Sequence, residues 1–213
     1  MARSADNHEN KKKELLKVAE KLFLDKGYEQ TSIDDILKES GISKGGFYHY
    51  FKSKDEVLSE SINNIIEESI EYLMPTVEDN RLDALEKFKL FMRKKSEFQS
   101  TKIEYATLLA SILQSDVAQY KYSLAMSQKM VEPFAKIIDQ GAKEGVFHVD
   151  YPHETADILI RTVTSVVQST SYEEYLHDER KHRQYLLSLR NLIARTLGIS
   201  PEEFSLYDEE AKK

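Results

Sequence analysis

Ser43, Lys44, Tyr48, His49, Lys52 and Lys54 crowd into residues 40 to 54, a stretch that holds no Asp or Glu. An ammonium, a phenol, an imidazole and a small hydroxyl are the groups that donate hydrogen bonds to phosphate oxygens. At 100° per residue, Lys44, Gly45, Tyr48 and His49 fall on one side of a helix, and Phe47 and Phe51 fall on another. One side would bury while the other stays open. Two adjacent glycines, Gly45 and Gly46, cost a helix interior about 1 kcal/mol each against alanine. Their presence points to close backbone approach by a partner. The whole chain carries 30 Lys and Arg against 37 Asp and Glu, a net charge of −7. That balance argues against broad polyanion binding but leaves room for a small local patch, making few phosphate contacts per subunit.

The elements that must position these groups follow from capping and spacing. Thr31 or Ser32 can cap a helix whose apolar positions Ile33, Ile36 and Leu37 recur at i, i+3, i+4, with Asp34 and Asp35 in the first turn. Gly41 suits the left-handed residue that closes it. Ser43 caps the next helix, Lys44 to about Phe51. Ser53 with Glu56 forms an S-x-x-E capping box that starts a third helix at Lys54. Helix, glycine turn, helix is the helix-turn-helix pattern, whose second helix enters the major groove.

Residues 11 to 58, KKKELLKVAEKLFLDKGYEQTSIDDILKESGISKGGFYHYFKSKDEVL, resemble the N-terminal domain of the TetR family of transcriptional repressors. The resemblance rests on Phe23, Gly27-Tyr28, Thr31, Asp35-Ile36, Gly41-Ile42-Ser43-Lys44-Gly45, Tyr48-His49-Tyr50-Phe51 and Lys54. It implies that Thr31, Lys44, Tyr48, His49 or Tyr50, and Lys54 touch phosphates. It also implies that Ser43, Gly45, Gly46 and Phe47 lie nearest the bases. Gly46 departs from the family pattern, where many relatives carry Thr, Ala or Asn, so one base-reading side chain is missing. The remaining residues resemble the family only in length and helical layout.

The expected fold is all-α, with about nine helices and no alternating strand pattern. A three-helix DNA-binding domain, residues 1–54, precedes a larger helical domain for effector binding and dimerisation, 55–213. Glycine and proline are scarce, seven and four, and fall where helices should end, as at Pro75, Gly141 and Gly145. Cysteine is absent, which excludes disulfides and thiolate metal sites and suits a cytoplasmic protein. No apolar run approaches the roughly 18 residues of a membrane span, and the N-terminus has no secretory h-region.

In the larger domain, Phe88, Phe91, Met92, Tyr105, Leu109, Ile112, Tyr120, Met126, Met130 and Phe134 are adaptable apolar groups. They either fill a core or line a pocket. The resemblance implies a pocket there, for a mostly apolar or aromatic small molecule. Leu159, Val163 and Val166 form one apolar stripe, and Leu186, Leu189, Ile193 and Leu197 another. Pairing them between two subunits would give a four-helix bundle, and a homodimer is what a palindromic double-stranded DNA operator requires. Repression follows from the family resemblance alone. An effector-independent regulator docking a protein, and an all-α protein with a vestigial reader, are the competing readings.

No catalytic residue is expected. His153-Glu154 opens an H-E-x-x-H motif that fails at Asp157, and there is no G-x-S-x-G or phosphate loop. His177, Asp178 and His182 lie in a charged segment read as solvated, so neither a metal nor a cofactor is assigned. Lys11, Lys12 and Lys13 could add phosphate contacts as an arm.

Overall fold

The computed structural model describes residues 2–101, 115–167 and 178–203. Among these the chain is helical throughout: α1 (Ala2–Lys26), α2 (Ile33–Ser40), α3 (Lys44–Tyr50), α4 (Lys54–Val77), α5 (Ala84–Thr101), α6 (Asp116–Glu144), α7 (Pro152–Val167), α8 (Glu179–Leu197), then a 3₁₀ turn at Pro201–Glu203. None of these helices is long and apolar enough to cross a membrane. Two compact units emerge, residues 1–65 with 103–122, and residues 66–102 with 123–213. The first division falls inside α4, between Ile65 and Ile66, rather than ahead of it.

The first unit is built around the apolar faces that the spacing implies. Leu15, Leu16, Ala19 and Phe23 of α1, Ile36 of α2, Phe47 and Phe51, and Val57, Leu58 and Ile62 of α4 are all buried. Burying a side chain of this size stabilises by roughly 1.5–3 kcal/mol. Ser32 caps α2 in a capping box: its hydroxyl accepts from Asp35 N–H, and the Asp35 carboxylate accepts from Ser32 N–H at 2.8 Å. The Lys26 ammonium, 2.7 Å away, and these Ser32 bonds hold the Asp35 carboxyl well below the usual carboxylate range. Tyr28 packs edge-on against Phe23, and burial, aided by Asp55 and Glu29, pushes its phenol up to about 12.

In the second unit, Phe134 of α6 stacks on Phe91, with ring centroids 5.7 Å apart, and lies 6.0 Å from Phe88. Phe147 closes edge-on to Phe88. Leu159 of α7 and Leu189, Ile193 and Leu197 of α8 are buried as well.

Two expected helix ends move. Pro75 does not stop α4, which runs on to Val77. Its ring is exposed, the ladder resumes with Glu78 N–H donating to Met74 O, and buried Thr76 and Val77 hold the last turn in place. Gly141 lies inside α6 rather than at its end, and it is the close approach of the Phe147 ring, 2.1 Å from where a Cβ would sit, that accounts for a glycine there. Gly145, at φ 72°, is the residue that ends this helix. Lys11 to Lys13 are part of α1, which begins at Ala2, and so are not a free arm.

Candidate nucleic-acid interface

A seven-residue helix cannot hold itself together in water, so α3 owes its shape to caps and packing. The Ser43 hydroxyl accepts from Gly46 N–H at 3.1 Å, and Gly41 supplies the left-handed turn at φ 68°. Phe47 is fully buried and Phe51 nearly so, which fixes the rotation of the helix about its axis. That rotation leaves Ser43, Lys44, Gly45, Tyr48 and His49 facing solvent. Tyr48 is 46% exposed while its ring rests edge-on against Phe47. Lys44 pairs with no acid among the described residues. The result is a rigid row of donors on an open surface.

Three of the expected contact residues serve the fold. Thr31 is buried, and its hydroxyl donates to Gly27 O at 2.8 Å, so it ties the end of α1 to the start of α2. Phe47 is core and cannot approach a base. Lys54 donates to Tyr28 O at 2.8 Å and lies 4.2 Å over the Tyr28 ring, clamping α4 to the turn after α1. Lys12 is similarly engaged, pairing with Glu60 and lying over the Phe51 ring. Tyr50 is half-buried, with its ring 4.8 Å from that of His8.

His8 is the residue that sequence reasoning missed. Its Nε2 lies 3.1 Å from Nε2 of His49, so an N-terminal imidazole joins the exposed row. The two are 41 positions apart, and nothing in local spacing signals the contact.

The adjacent glycines separate cleanly. A Cβ on Gly46 would meet Ile42 Cγ1 at 2.7 Å, so a side chain there would force the Ile42 side chain to shift. A Cβ on Gly45 would meet nothing within 4 Å, and its backbone is ordinary helix. Only Gly45 is unexplained by the fold. Gly45→Ala is therefore expected to raise the thermal midpoint, by up to about 1 kcal/mol of stability, while weakening DNA retention. Gly46→Ala should lower the midpoint. Parallel thermal melts and gel retardation of the two variants check both statements.

In the second unit, the expected pocket residues Phe88, Phe91, Met126, Met130 and Phe134 are buried and Met92 is half-buried. Tyr120 stands 69% exposed in the first unit, while Tyr105, Leu109 and Ile112 lie outside the described residues. An open groove of about 400 Å³ is lined instead by Glu68, Glu71, Tyr72, Phe98 and Thr101. Phe98 belongs to the bulky, adaptable stretch of residues 88 to 134 that the sequence offers for a pocket, whereas Tyr72 is silent to pattern reading because it also fits a plain helix-packing position. Of the expected pairing residues, the single chain already covers Leu159, Leu189, Ile193 and Leu197. Val163, Val166 and Leu186 are half-buried, and the outward apolar groups are Ile158 and Leu192. Among the described residues no three His, Asp or Glu side chains gather as a metal would require.

Residues 15–60 match the family described as bacterial regulatory proteins, tetR family, and residues 100–173 match a tetracyclin repressor-like C-terminal domain. The chain is 26% identical over 199 residues to the HTH-type transcriptional repressor KstR2 of Mycolicibacterium smegmatis, covering 89% of this chain and 93% of the relative. A shorter match, 35% over 68 residues, reaches the icaADBC operon negative regulator IcaR of Staphylococcus epidermidis, covering 32% of this chain and 37% of that one. SmeT, the repressor of a Stenotrophomonas maltophilia multidrug efflux pump, shares the fold at TM-score 0.64 and 21% identity, covering 86% and 89% of the two chains. RolR with resorcinol does so at TM-score 0.65 and 16% identity, covering 93% of each.

Proposed function

Because the chain belongs to the TetR family of DNA-binding transcriptional regulators, we propose that it is a ligand-responsive repressor that binds a palindromic operator as a homodimer. The observation that carries this is the open row Ser43, Lys44, Gly45, Tyr48 and His49, held rigid by buried Phe47 and Phe51. Lys44 and Tyr48 donate to phosphates, Gly45 lets the backbone approach, and Ser43 lies nearest the base edges. No catalytic step is involved, and the setting is cytoplasmic.

One short helix reads only a few base pairs, so two copies related by a two-fold axis read the two half-sites. The pairing surface is formed by α7 and α8, which pack on each other and leave Ile158 and Leu192 outward. The effector binds in the second unit, where Phe88, Phe91, Met126, Met130 and Phe134 lie. KstR2, IcaR and SmeT are named as repressors or negative regulators, and RolR was solved with resorcinol. Those names support repression and a small ligand here.

Release follows from geometry. The α4 helix contributes its first half to one unit and its second half to the other. An effector that favours a second arrangement around the later half changes where the earlier half presents α3. Half-sites stand a fixed distance apart on DNA, so a shift of a few ångströms breaks simultaneous engagement. The effector must prefer that arrangement by roughly 1–3 kcal/mol.

Purified protein should retard a fragment from upstream of its own coding region and protect two symmetric half-sites. Failure to retard any such fragment at low ionic strength overturns the proposal. A screen of apolar compounds that finds none able to stabilise the protein, with retardation intact, would favour control by a protein partner.

A further inference from the structure

His8 and His49 meet tip to tip: their Nε2 atoms lie 3.1 Å apart, and the rings stand edge to face at 80°. Tyr50 completes the cluster, its ring 4.8 Å from that of His8 and 5.2 Å from that of His49. Both imidazoles are exposed. His49 shares the open side of α3 with Lys44, Gly45 and Tyr48, so His8 borders the row proposed to meet DNA although it comes from α1. At this distance the contact is a hydrogen bond with room for one Nε2 proton: one ring donates and the other accepts. Protons on both Nε2 atoms would leave two donors facing each other with no acceptor between them.

A phosphate supplies that acceptor. Its oxygens take a hydrogen bond from each ring, and an anion beside an imidazole favours the charged form over a neutral tautomer. Because both rings are exposed, they can open around it by side-chain rotation. The charged groups of the elements that meet here are of both signs. On α1, Glu9 and Lys11 are exposed, and Lys12, one turn beyond His8, pairs with Glu60 of α4. Further along α1, Lys21 and Lys26 hold Glu39 and Asp35 of α2. Past the end of α3, Lys52 N–H donates to the Glu56 carboxylate. Lys44 stands on the open side of α3 itself.

We infer that His8 and His49 together clamp one backbone phosphate of the bound duplex, each donating from Nε2, and that closing this clamp takes up protons. The inference rests on the DNA-binding reading and adds α1 to the contact surface. Proton uptake fixes the sign of the pH effect. A partner anion makes the rings hold their protons more tightly, so affinity is gained as pH falls through the ordinary imidazole range near ~6.5 and is lost above it. The grip on DNA therefore tightens on mild acidification.

The test measures affinity for the upstream fragment and for an unrelated duplex of equal length, at about pH 6 and about pH 8 and fixed ionic strength. Wild-type protein should bind about ten-fold more tightly at the lower pH. Glutamine keeps a neutral donor but takes up no proton, so His8→Gln and His49→Gln should each cut that gain to about three-fold or less. Their thermal midpoints should stay near the wild type, since both side chains are exposed. His153→Gln, an exposed histidine of α7 in the second unit, should keep the full gain. Equal wild-type affinity at both pH values, a full gain in either clamp variant, or an equal reduction of the gain in His153→Gln each overturns the inference. So does a loss in His8→Gln that is the same at both pH values, which a merely structural contact would give. Retardation of the upstream fragment without an acid gain sinks this inference alone. A gain carried by His8 on both duplexes, with the upstream fragment held no more tightly than the unrelated one, sinks the operator reading alone. Binding to neither duplex sinks both.

Discussion

Lys44→Ala combined with Tyr48→Ala is expected to abolish retention of the upstream fragment while leaving the protein folded. Both side chains are exposed, and neither makes an ion pair or side-chain hydrogen bond among the described residues. Tyr48 gives up only its edge contact with Phe47, so the cost in stability should stay near or below about 1 kcal/mol. The loss in binding is larger because it is counted twice. A neutral hydrogen bond contributes roughly 1 kcal/mol and a charge-assisted one about twice that, and a dimer forfeits both kinds in each half-site. Even after screening by salt, the affinity should fall by at least about 100-fold. Losing one Lys–phosphate contact per subunit also flattens the dependence of log affinity on log salt by about 2 per dimer. Gel retardation across a salt series, beside a thermal melt, measures all three. Unchanged affinity would show that α3 is not the reading element.

How much of this was legible beforehand follows from the range of the interactions involved. The faces of α3 could be read because they depend only on helical period and on caps within a few residues, Ser43 and Gly41. The roles of Thr31 and Lys54 could not, since their partners Gly27 O and Tyr28 O are set by how α1 meets α2 and α4. The His8–His49 contact is of the same non-local kind. In the body, periodicity found the apolar stripes of α7 and α8 but could not say which neighbour covers them. A stripe at i, i+4, i+7 looks the same whether it faces its own chain or a copy. Leu189, Ile193 and Leu197 proved to face their own chain, and the outward positions are Ile158 and Leu192.

Phe47→Ala should also lose DNA retention, but by a different physical route, and the two routes can be told apart. Phe47 is fully buried and packs against Phe51 with ring centroids 6.1 Å apart. Truncating a buried phenylalanine costs about 3–5 kcal/mol, through lost transfer energy and the cavity left behind. Against a total stability of roughly 5–15 kcal/mol, that is enough to loosen the whole first unit. For a chain of this size the thermal midpoint should drop by about 6–20 °C. Phe47→Leu keeps most of the volume and should cost less than about 1.5 kcal/mol, retaining DNA binding. Because Phe47→Ala leaves Lys44 and Tyr48 in place, adding an excluded osmolyte such as trimethylamine N-oxide should restore folding and retention together. The same osmolyte should do nothing for the Lys44→Ala, Tyr48→Ala protein, which is already folded and lacks only the donors. If Phe47→Ala kept its midpoint but lost retention, Phe47 would belong to the reading surface after all, and the rotation assigned to α3 would be wrong.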